Sequence, residues 1–489
     1  MRGFRADLAA LGLGALAAAA LPPFNIIPVL LISVPGLLIL IDAARSPAVA
    51  ARRGWWFGFG HHVIGLYWIT EAILFEAARF WWLVPLAVPA VAAGLAVFIA
   101  AACFMARLAP PGWPRVLALA GAWVLADLVR QFVLTGFPWN PWGSVWEIPG
   151  PVGDVFIQPA AWVGVHGLTL VTLLLAALPV LGWQWRAAGA ALLAAWIAVG
   201  VWRLQQTVPP QALAVVLVQG NVAQGQKFDQ ALAVRIFRHY LDLSSQGHAT
   251  GPAVTVWPET SFPGLLDLDE PARQAIERAT GGVPALIGSV RFDQQRRPRN
   301  SLFAVLGGGV IGGVYDKWHL VPFGEYIPDW LPLPIMVMPG NGFASGPGPR
   351  TLHVPGLPPF GPLICYEAIF TGQVVDHRDR PTWLVNVTND AWFGNSTGPR
   401  QHLAAARMRA VEEGLPLLRA ANTGISAAFD AHGHELGRID LQTSGVLTVG
   451  LPGPLPETLF ARIGLWLPAI SASVALGAGL VARRVAASG

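Results

Sequence analysis

Three residues with the chemistry of acyl transfer each follow an apolar, strand-like run. Cys365 ends Pro-Leu-Ile-Cys, Glu259 ends Val-Thr-Val-Trp-Pro-Glu, and Lys317 follows the run that ends at Tyr315-Asp316. In a layered α/β sheet the carboxyl ends of strands gather functional groups, so we expect these three to meet. The thiol would be the nucleophile, the carboxylate its base if a dry pocket raises its pKa, and the ammonium the donor to an oxyanion. The pattern predicts chemistry through a thioester.

Each of these residues has an ordinary interpretation when it is taken alone. A single buried cysteine is more often an inert packing residue, Glu259 fits a surface carboxylate or helix cap, and Lys317 fits a solvated strand end. The chain has one further cysteine, Cys103, within an apolar run. Two separate cysteines cannot build a disulfide framework or a metal cluster. We therefore predict no metal and no cofactor, and the case for catalysis depends on the three residues occurring together.

The chain as a whole is too apolar for a typical soluble protein. Of its 489 residues 54% are hydrophobic and 12% are charged, against about 25% charged in soluble domains. Stretches of about 17–25 apolar residues suffice to cross a bilayer. Eight such stretches are predicted as transmembrane helices, near 8–22, 26–42, 55–75, 84–108, 115–133, 160–182, 188–204 and 463–482.

The arginines give the predicted helices an orientation. With the N-terminus in the cytoplasm, most arginines of the membrane segments fall on the cytoplasmic side, as the positive-inside rule requires. Residues 206–460 then lie in the periplasm, between seven helices in residues 1–205 and an eighth helix with a cytoplasmic tail in 461–489. The net charge of +4 is small and no basic cluster indicates a nucleic-acid partner.

The block at 206–460 alternates strand and helix patterns, which is typical of a layered α/β domain. Strands are predicted near 213–219, 254–257, 284–290, 301–306, 310–316, 363–365, 383–387, 417–421, 425–430 and 446–450, and helices near 228–243, 271–280 and 399–413. The proline-rich segment 318–350 is too long for an ordinary connection. Its apolar residues suggest a mobile arm that meets lipid.

Several motifs resemble the nitrilase, or carbon–nitrogen hydrolase, superfamily. They are Trp-Pro-Glu259, Asp-Lys317-Trp-His-Leu-Val-Pro-Phe-Gly-Glu325-Tyr and Ile-Cys365-Tyr-Glu367. The superfamily folds as an αββα sandwich with a Glu–Lys–Cys triad. The eight predicted helices around such a domain make the chain resemble the apolipoprotein N-acyltransferases over its whole length. Phe228 follows Lys227 where that family often has tryptophan.

The resemblance implies a ping-pong acyl transfer with two lipid substrates. Cys365 would take the sn-1 acyl chain of a phospholipid, expected to be phosphatidylethanolamine, and pass it to the α-amino group of a diacylglyceryl-cysteine at an apolipoprotein N-terminus. Glu259 would be the base, and Lys317 with the Tyr366 N–H would bind the oxyanion. It also implies a monomeric enzyme of the bacterial inner membrane. The supporting residues that it implies are Glu325, Tyr366, Glu367, Asn300, Phe228 and Trp392.

Two other functions remain open at this point. A membrane-tethered amidase or nitrilase would share the triad and use water as its second substrate, but a tether requires one helix rather than eight. A transporter with a large external domain is the second alternative. The predicted helices hold few ionisable residues, with Glu71, Asp127 and His166 as candidates, and such residues usually mark a transport pathway.

Overall fold

The computed structural model describes residues 2–75, 77–227, 229–247, 251–331 and 342–487. The chain divides into two compact units, Met1–Gln205 with Arg462–Gly489, and Gln206–Ala461. We call them the helical unit and the α/β unit. Phe228 and residues 332–341 of the predicted arm lie outside the described residues.

The helical unit has helix in each of the eight predicted stretches. Its first ten helices are α1 Arg2–Ala17, α2 Leu30–Asp42, α3 Pro47–Gly65, α4 Ile69–Leu74, α5 Ala77–Phe80, α6 Val84–Leu108, α7 Trp113–Phe132, α8 Pro151–Ile157, α9 Ala160–Ala176 and α10 Trp183–Leu204. The chain's final helix spans Trp466–Ala487, after a short helix at Leu459–Ile463.

The predicted stretch 55–75 is not one helix. Helix α3 begins eight residues earlier, because the Ser46 hydroxyl accepts a hydrogen bond from the Val49 N–H (3.3 Å) and Pro47 suits the first helical position. It ends at Gly65, where Leu66 leaves the helical conformation, and α4 follows separately. Because α3 contains two arginines, Arg52 and Arg53, hydropathy alone does not predict this start.

Among the described residues of this unit, four helices are long and apolar enough to cross a membrane by length and composition. They are Gly3–Ala20, Ala77–Leu108, Ala160–Val180 and Trp183–Leu204, and Ile27–Asp42 and Trp466–Ala482 are shorter apolar helices. Helix α7 is of sufficient length but contains Arg115, Asp127 and Arg130. Within α7, Asp127 forms an ion pair with Arg130 at 3.0 Å, so this buried carboxylate has a partner one turn away.

The α/β unit contains two mixed sheets. Its strands are β1 Ala214–Gln219, β2 Ala253–Val256, β3 Ala285–Phe292, β4 Pro298–Val305, β5 Ile311–Asp316, β6 Phe360–Ile364, β7 Trp383–Thr388, β8 Leu417–Ala421, β9 Ser426–Phe429, β10 Glu435–Ile439 and β11 Gly445–Gly450. One sheet has the order β11-β1-β2-β3-β4-β5 and the other β10-β9-β8-β7-β6. Strands β1, β2 and β3 are parallel, as are β6, β7 and β8.

Helices cover the outer faces of the two sheets. They are α12 Ala233–Gln246, α13 Glu270–Ala279 and α14 Gly398–Glu413, and a four-residue helix, α11 Gln224–Lys227, follows β1. The core between the sheets joins side chains such as Val215 and Val256 of one sheet to Phe360 and Val385 of the other. Separate apolar clusters hold α12 and α13 on the first sheet and α14 on the second. The layers are therefore αββα, as the resemblance implies.

Two elements of this unit escape the sequence patterns. Strand β10 reads Glu-Leu-Gly-Arg-Ile and lies at a sheet edge, where exposed side chains give no apolar run. Helix α11 has only four residues, too few for a periodic signal. It nevertheless matters, because it carries Lys227 into the site described next.

Candidate active site

Glu259 is placed by a tight turn after β2. The turn brings Thr260 to a φ of 43°, and it lies directly against Gly288 of β3. A Cβ at Gly288 would lie 2.2 Å from the Pro258 carbonyl oxygen and 2.8 Å from the Glu259 Cα. Gly288 is therefore required for the turn to approach the sheet and aim the Glu259 carboxylate.

The Glu259 carboxylate is buried and fully hydrogen-bonded. Oε1 accepts bonds from Asn300 Nδ2 (2.7 Å) and Lys317 Nζ (3.2 Å), and Oε2 accepts one from the Asn389 N–H (2.9 Å). Burial raises the pKa of Glu259, but the ammonium groups of Lys317 and Lys227 and the Asn300 bond outweigh it, so the net pKa is lowered. The condition of a raised pKa is thus not met, because the pocket is dry but positively charged.

Lys317 and Glu325 form a second buried ion pair beside Glu259. The Lys317 side chain is 1% exposed, and its Nζ donates to Glu325 at 2.9 Å as well as to Glu259. The two carboxylates raise the pKa of Lys317 well above its usual value, although burial opposes them. Glu325 also accepts bonds from Asn300 Nδ2 (3.1 Å) and the Val321 N–H (2.8 Å). Lys317 is therefore a permanent cation held between two carboxylates.

Cys365 stands one residue beyond its strand, which ends at Ile364. It opens the short helix Cys365–Ile369 with a φ of 53°, a left-handed conformation that is uncommon for a residue with a side chain. Burial and the Glu259 carboxylate raise the pKa of the Cys365 thiol, while Lys317 lowers it. The free site therefore holds a thiol beside an ionised carboxylate, which is the starting pair for general-base attack.

Glu367 connects the strand ends that carry Lys317 and Cys365. Its two oxygens accept hydrogen bonds from the Trp318 N–H (2.7 Å), the Ile364 N–H (2.6 Å) and the Tyr315 hydroxyl (3.1 Å). Burial raises the pKa of Glu367 to about 7, against three backbone donors, the third being the His319 N–H (3.4 Å), and Lys317, which lower it. Glu367 thus fixes the spacing between β5 and β6.

The other predicted site residues differ in how the structure places them. Asn300 binds both Glu259 and Glu325, as described above. Tyr366 follows Cys365, and its ring packs on Phe370 with centroids 5.1 Å apart. Trp392 is half-buried in the short helix Asp390–Phe393 after β7. Phe228 is the one predicted site residue outside the described part of the chain.

Lys227 is a site residue that motif reasoning missed. Its side chain is buried, and its Nζ donates to the Glu259 carbonyl oxygen at 2.8 Å. Burial lowers the pKa of Lys227 to about 8, although Glu259 and Cys365 raise it. Composition carried the signal: among 32 basic residues the chain has only two lysines, Lys227 and Lys317, and both are at this site.

A second missed group lies behind the nucleophile. His402 Nε2 is 3.0 Å from the Cys365 carbonyl oxygen, and Nδ1 is 2.9 Å from Asp390 Oδ1. Arg419 donates to Asp390 Oδ2 at 2.6 Å. Within the described residues, Cys365, Asp390 and His402 are the one trio spaced to hold a metal ion. The Arg419 guanidinium already neutralises Asp390, and both histidine nitrogens have partners, so the trio fits a hydrogen-bond network better than an ion site.

Two family models match separate parts of the chain. Residues 13–178 match the family described as "Apolipoprotein N-acyltransferase N-terminal domain", and residues 222–454 match "Carbon-nitrogen hydrolase". A solved amidase from Nesterenkonia sp. is similar over 50% of this chain and 92% of its own, with 17% identity and a TM-score of 0.39.

Similar proteins also extend over nearly the whole chain. A protein from Rhodopseudomonas palustris named "Apolipoprotein N-acyltransferase" is 39% identical over 94% of this chain and 92% of its own length. One of the same name from Bradyrhizobium diazoefficiens is 40% identical over 99% of this chain and 95% of its own. The buried Glu–Lys–Cys arrangement and the apolar helices are thus features of a chain that belongs to the apolipoprotein N-acyltransferase family.

Proposed function

We propose that the protein transfers the sn-1 acyl chain of a phospholipid, phosphatidylethanolamine, to the α-amino group of an N-terminal diacylglyceryl-cysteine of apolipoproteins. The observation that carries the proposal is the meeting of Glu259 and Lys317 with Cys365 at strand ends of a carbon–nitrogen hydrolase domain. Relatives over nearly the full chain bear the acyltransferase name. The covalent carrier is a thioester on Cys365.

In the first half-reaction the Cys365 sulfur attacks the ester carbonyl carbon. The Glu259 carboxylate takes the thiol proton as the C–S bond forms, and the carbonyl oxygen becomes an oxyanion. The Lys317 ammonium and the Tyr366 N–H stabilise that oxyanion. When the C–O bond breaks, Glu259 returns the proton to the leaving alkoxide. The products are a lysophospholipid and an acyl thioester.

In the second half-reaction the acceptor's neutral α-amine attacks the thioester carbonyl. Glu259 accepts a proton from the amine nitrogen, and the same two donors bind the second oxyanion. The C–S bond then breaks, the sulfur takes the proton from Glu259, and an amide is released. A fixed ammonium at Lys317 suits both halves, because it balances the oxyanion without exchanging a proton.

The proposed setting is the inner membrane of a bacterium. Eight crossings, seven in residues 1–205 and one in 461–489, would place residues 206–460 in the periplasm with both termini in the cytoplasm. The distribution of arginine and the helices found in the eight predicted stretches support this arrangement. We also propose that the protein is a monomer. It requires no metal or cofactor in this proposal, because the triad supplies nucleophile, base and oxyanion donor by itself.

The test is intact mass measurement after incubation with phosphatidylethanolamine alone. We expect a mass increase of one acyl chain that hydroxylamine removes and that Cys365→Ala abolishes. Cys103→Ala is the matched control, since it removes the chain's other thiol, which is buried in α6. Loss of the adduct in the control, or its persistence in Cys365→Ala, would overturn the thioester. Turnover of amides by water, without transfer to a diacylglyceryl peptide, would instead indicate the amidase.

A further inference from the structure

We propose that His402, oriented by Asp390 and Arg419, aligns and polarises the peptide group between Cys365 and Tyr366 for oxyanion binding. This inference rests on the function proposed above, in which the Tyr366 N–H is an oxyanion donor. His402 is thereby a positioning residue: it acts on the far side of the peptide and touches no reacting atom.

The geometry follows from the peptide bond itself. The Cys365 carbonyl and the Tyr366 N–H belong to one planar group, in which a trans bond points them in opposite directions. The bond of 3.0 Å from His402 Nε2 to the Cys365 oxygen therefore also sets the direction of the Tyr366 N–H. Because Cys365 is in a left-handed conformation, with a φ of 53°, this peptide needs such a restraint.

The ring protons of His402 are placed by its partners. A carbonyl oxygen only accepts hydrogen bonds, so Nε2 must donate to Cys365. Asp390 holds the ring from the Nδ1 side at 2.9 Å, and is itself held by Arg419 at 2.6 Å and by the Thr388 hydroxyl at 2.9 Å. The Asp390 carboxylate also only accepts, so Nδ1 donates to it, and the ring cannot rotate without breaking charged hydrogen bonds.

The network is buried and closely packed. His402, Asp390 and Arg419 are each at most 1% exposed. At Gly424, a Cβ would lie 2.4 Å from Asp390 Oδ2, so the backbone itself encloses the carboxylate. A donor to a carbonyl also makes the N–H of the same peptide a better donor, through polarisation along the chain of bonds. The network thus both aims and strengthens the Tyr366 N–H.

The expected effect is smaller than that of deleting a donor. Removing one oxyanion-hole donor costs about 10²–10³-fold in kcat. His402→Phe keeps a ring in the site but removes the bond to Cys365, so we expect acylation of Cys365 to slow by about 10–100-fold. His402→Gln retains an N–H near the position of Nε2 and should restore the rate to within about threefold of the wild type.

The experiment compares two reactions of the same thiol in the full-length protein. Acylation by phosphatidylethanolamine, and by p-nitrophenyl butyrate as a small ester, passes through an oxyanion, whereas alkylation by iodoacetamide does not. In His402→Phe both acylation rates should fall about 10–100-fold while the alkylation rate changes by less than about threefold. His402→Gln should recover acylation.

Three outcomes overturn the inference or its basis separately. Unchanged acylation in His402→Phe refutes the role of His402. An equal fall in acylation and alkylation shows that the variant has displaced the Cys365 thiol or unfolded the site, which also refutes it. If the wild-type protein reacts with p-nitrophenyl butyrate but never with phospholipid, the proposed lipid substrate fails, while the comparison of His402 variants on the small ester still stands.

Discussion

Replacing Lys227 by methionine should make the protein more stable. Burial lowers the pKa of this lysine from 10.5 to about 8, which corresponds to a cost of about 3 kcal/mol for keeping it charged at neutral pH. Methionine has a similar length and removes that charge. It also removes the hydrogen bond to the Glu259 carbonyl oxygen, worth about 1 kcal/mol. The expected net gain is about 2 kcal/mol.

The gain depends on pH in a defined direction. Between about pH 8 and 10.5 the folded protein has released the Lys227 proton, whereas the unfolded chain still binds it. The unfolded state then binds more protons, so the stability of the wild type rises with pH over this window. The advantage of Lys227→Met is therefore complete below about pH 8 and disappears as the pH approaches 10.5.

The measurement is the unfolding midpoint of the purified protein in detergent, at pH 7 and pH 10. A gain of about 2 kcal/mol raises the midpoint of a domain of this size by about 4–8 °C. Lys317→Met is the contrasting variant, since it leaves the buried carboxylates of Glu259 and Glu325 without their cation and should cost about 3–5 kcal/mol. An unchanged or lower midpoint for Lys227→Met at pH 7, or a gain undiminished at pH 10, would refute the reasoning.

Three further predictions concern the same site. In Lys227→Met the acid limb of kcat/KM should move to higher pH, because loss of the ammonium raises the pKa of Glu259; a pH–rate profile that stays in place would contradict this. Gly288→Ala should cost about 2–4 kcal/mol of stability and at least tenfold in acylation rate, whereas Gly450→Ala, with open space around its Cβ, should leave both unchanged. Glu367→Gln should lower the unfolding midpoint by the equivalent of about 2–3 kcal/mol, since an amide NH₂ would face backbone donors; a midpoint equal to that of the wild type would show that the bridge is dispensable.

The sequence predicts the triad because each member follows a strand and strand ends share an edge. Strand β2 of one sheet ends three residues before Glu259, and strand β6 of the other sheet ends one residue before Cys365. The four described helices that are long and apolar enough to cross a membrane are similarly predictable, since apolar length is visible in the sequence. The start of α3 cannot be predicted from hydropathy, because the helix has Arg52 and Arg53 soon after its capping serine.

The site residues that the sequence did not predict were missed for one physical reason. Lys227 and His402 reach the site through side-chain hydrogen bonds. The helices that carry them show no apolar periodicity, so the sequence does not indicate that these two side chains are buried. The direction of the Glu259 pKa shift could not be predicted for the same reason. A dry pocket alone raises a carboxyl pKa, but the second ammonium, on Lys227, comes from a four-residue helix that no pattern predicts.

The two buried lysines also allow local unfolding of the site to be measured by proteolysis. A lysine-specific endoproteinase has only two places to cut, after Lys227 and after Lys317, and would give fragments 1–227, 228–317 and 318–489. Both bonds adjoin the triad, so cleavage requires the site to unfold locally while the helical unit need not change. Protection against this protease by a bound phospholipid, or by acylation of Cys365, would therefore measure the stability of the catalytic centre alone.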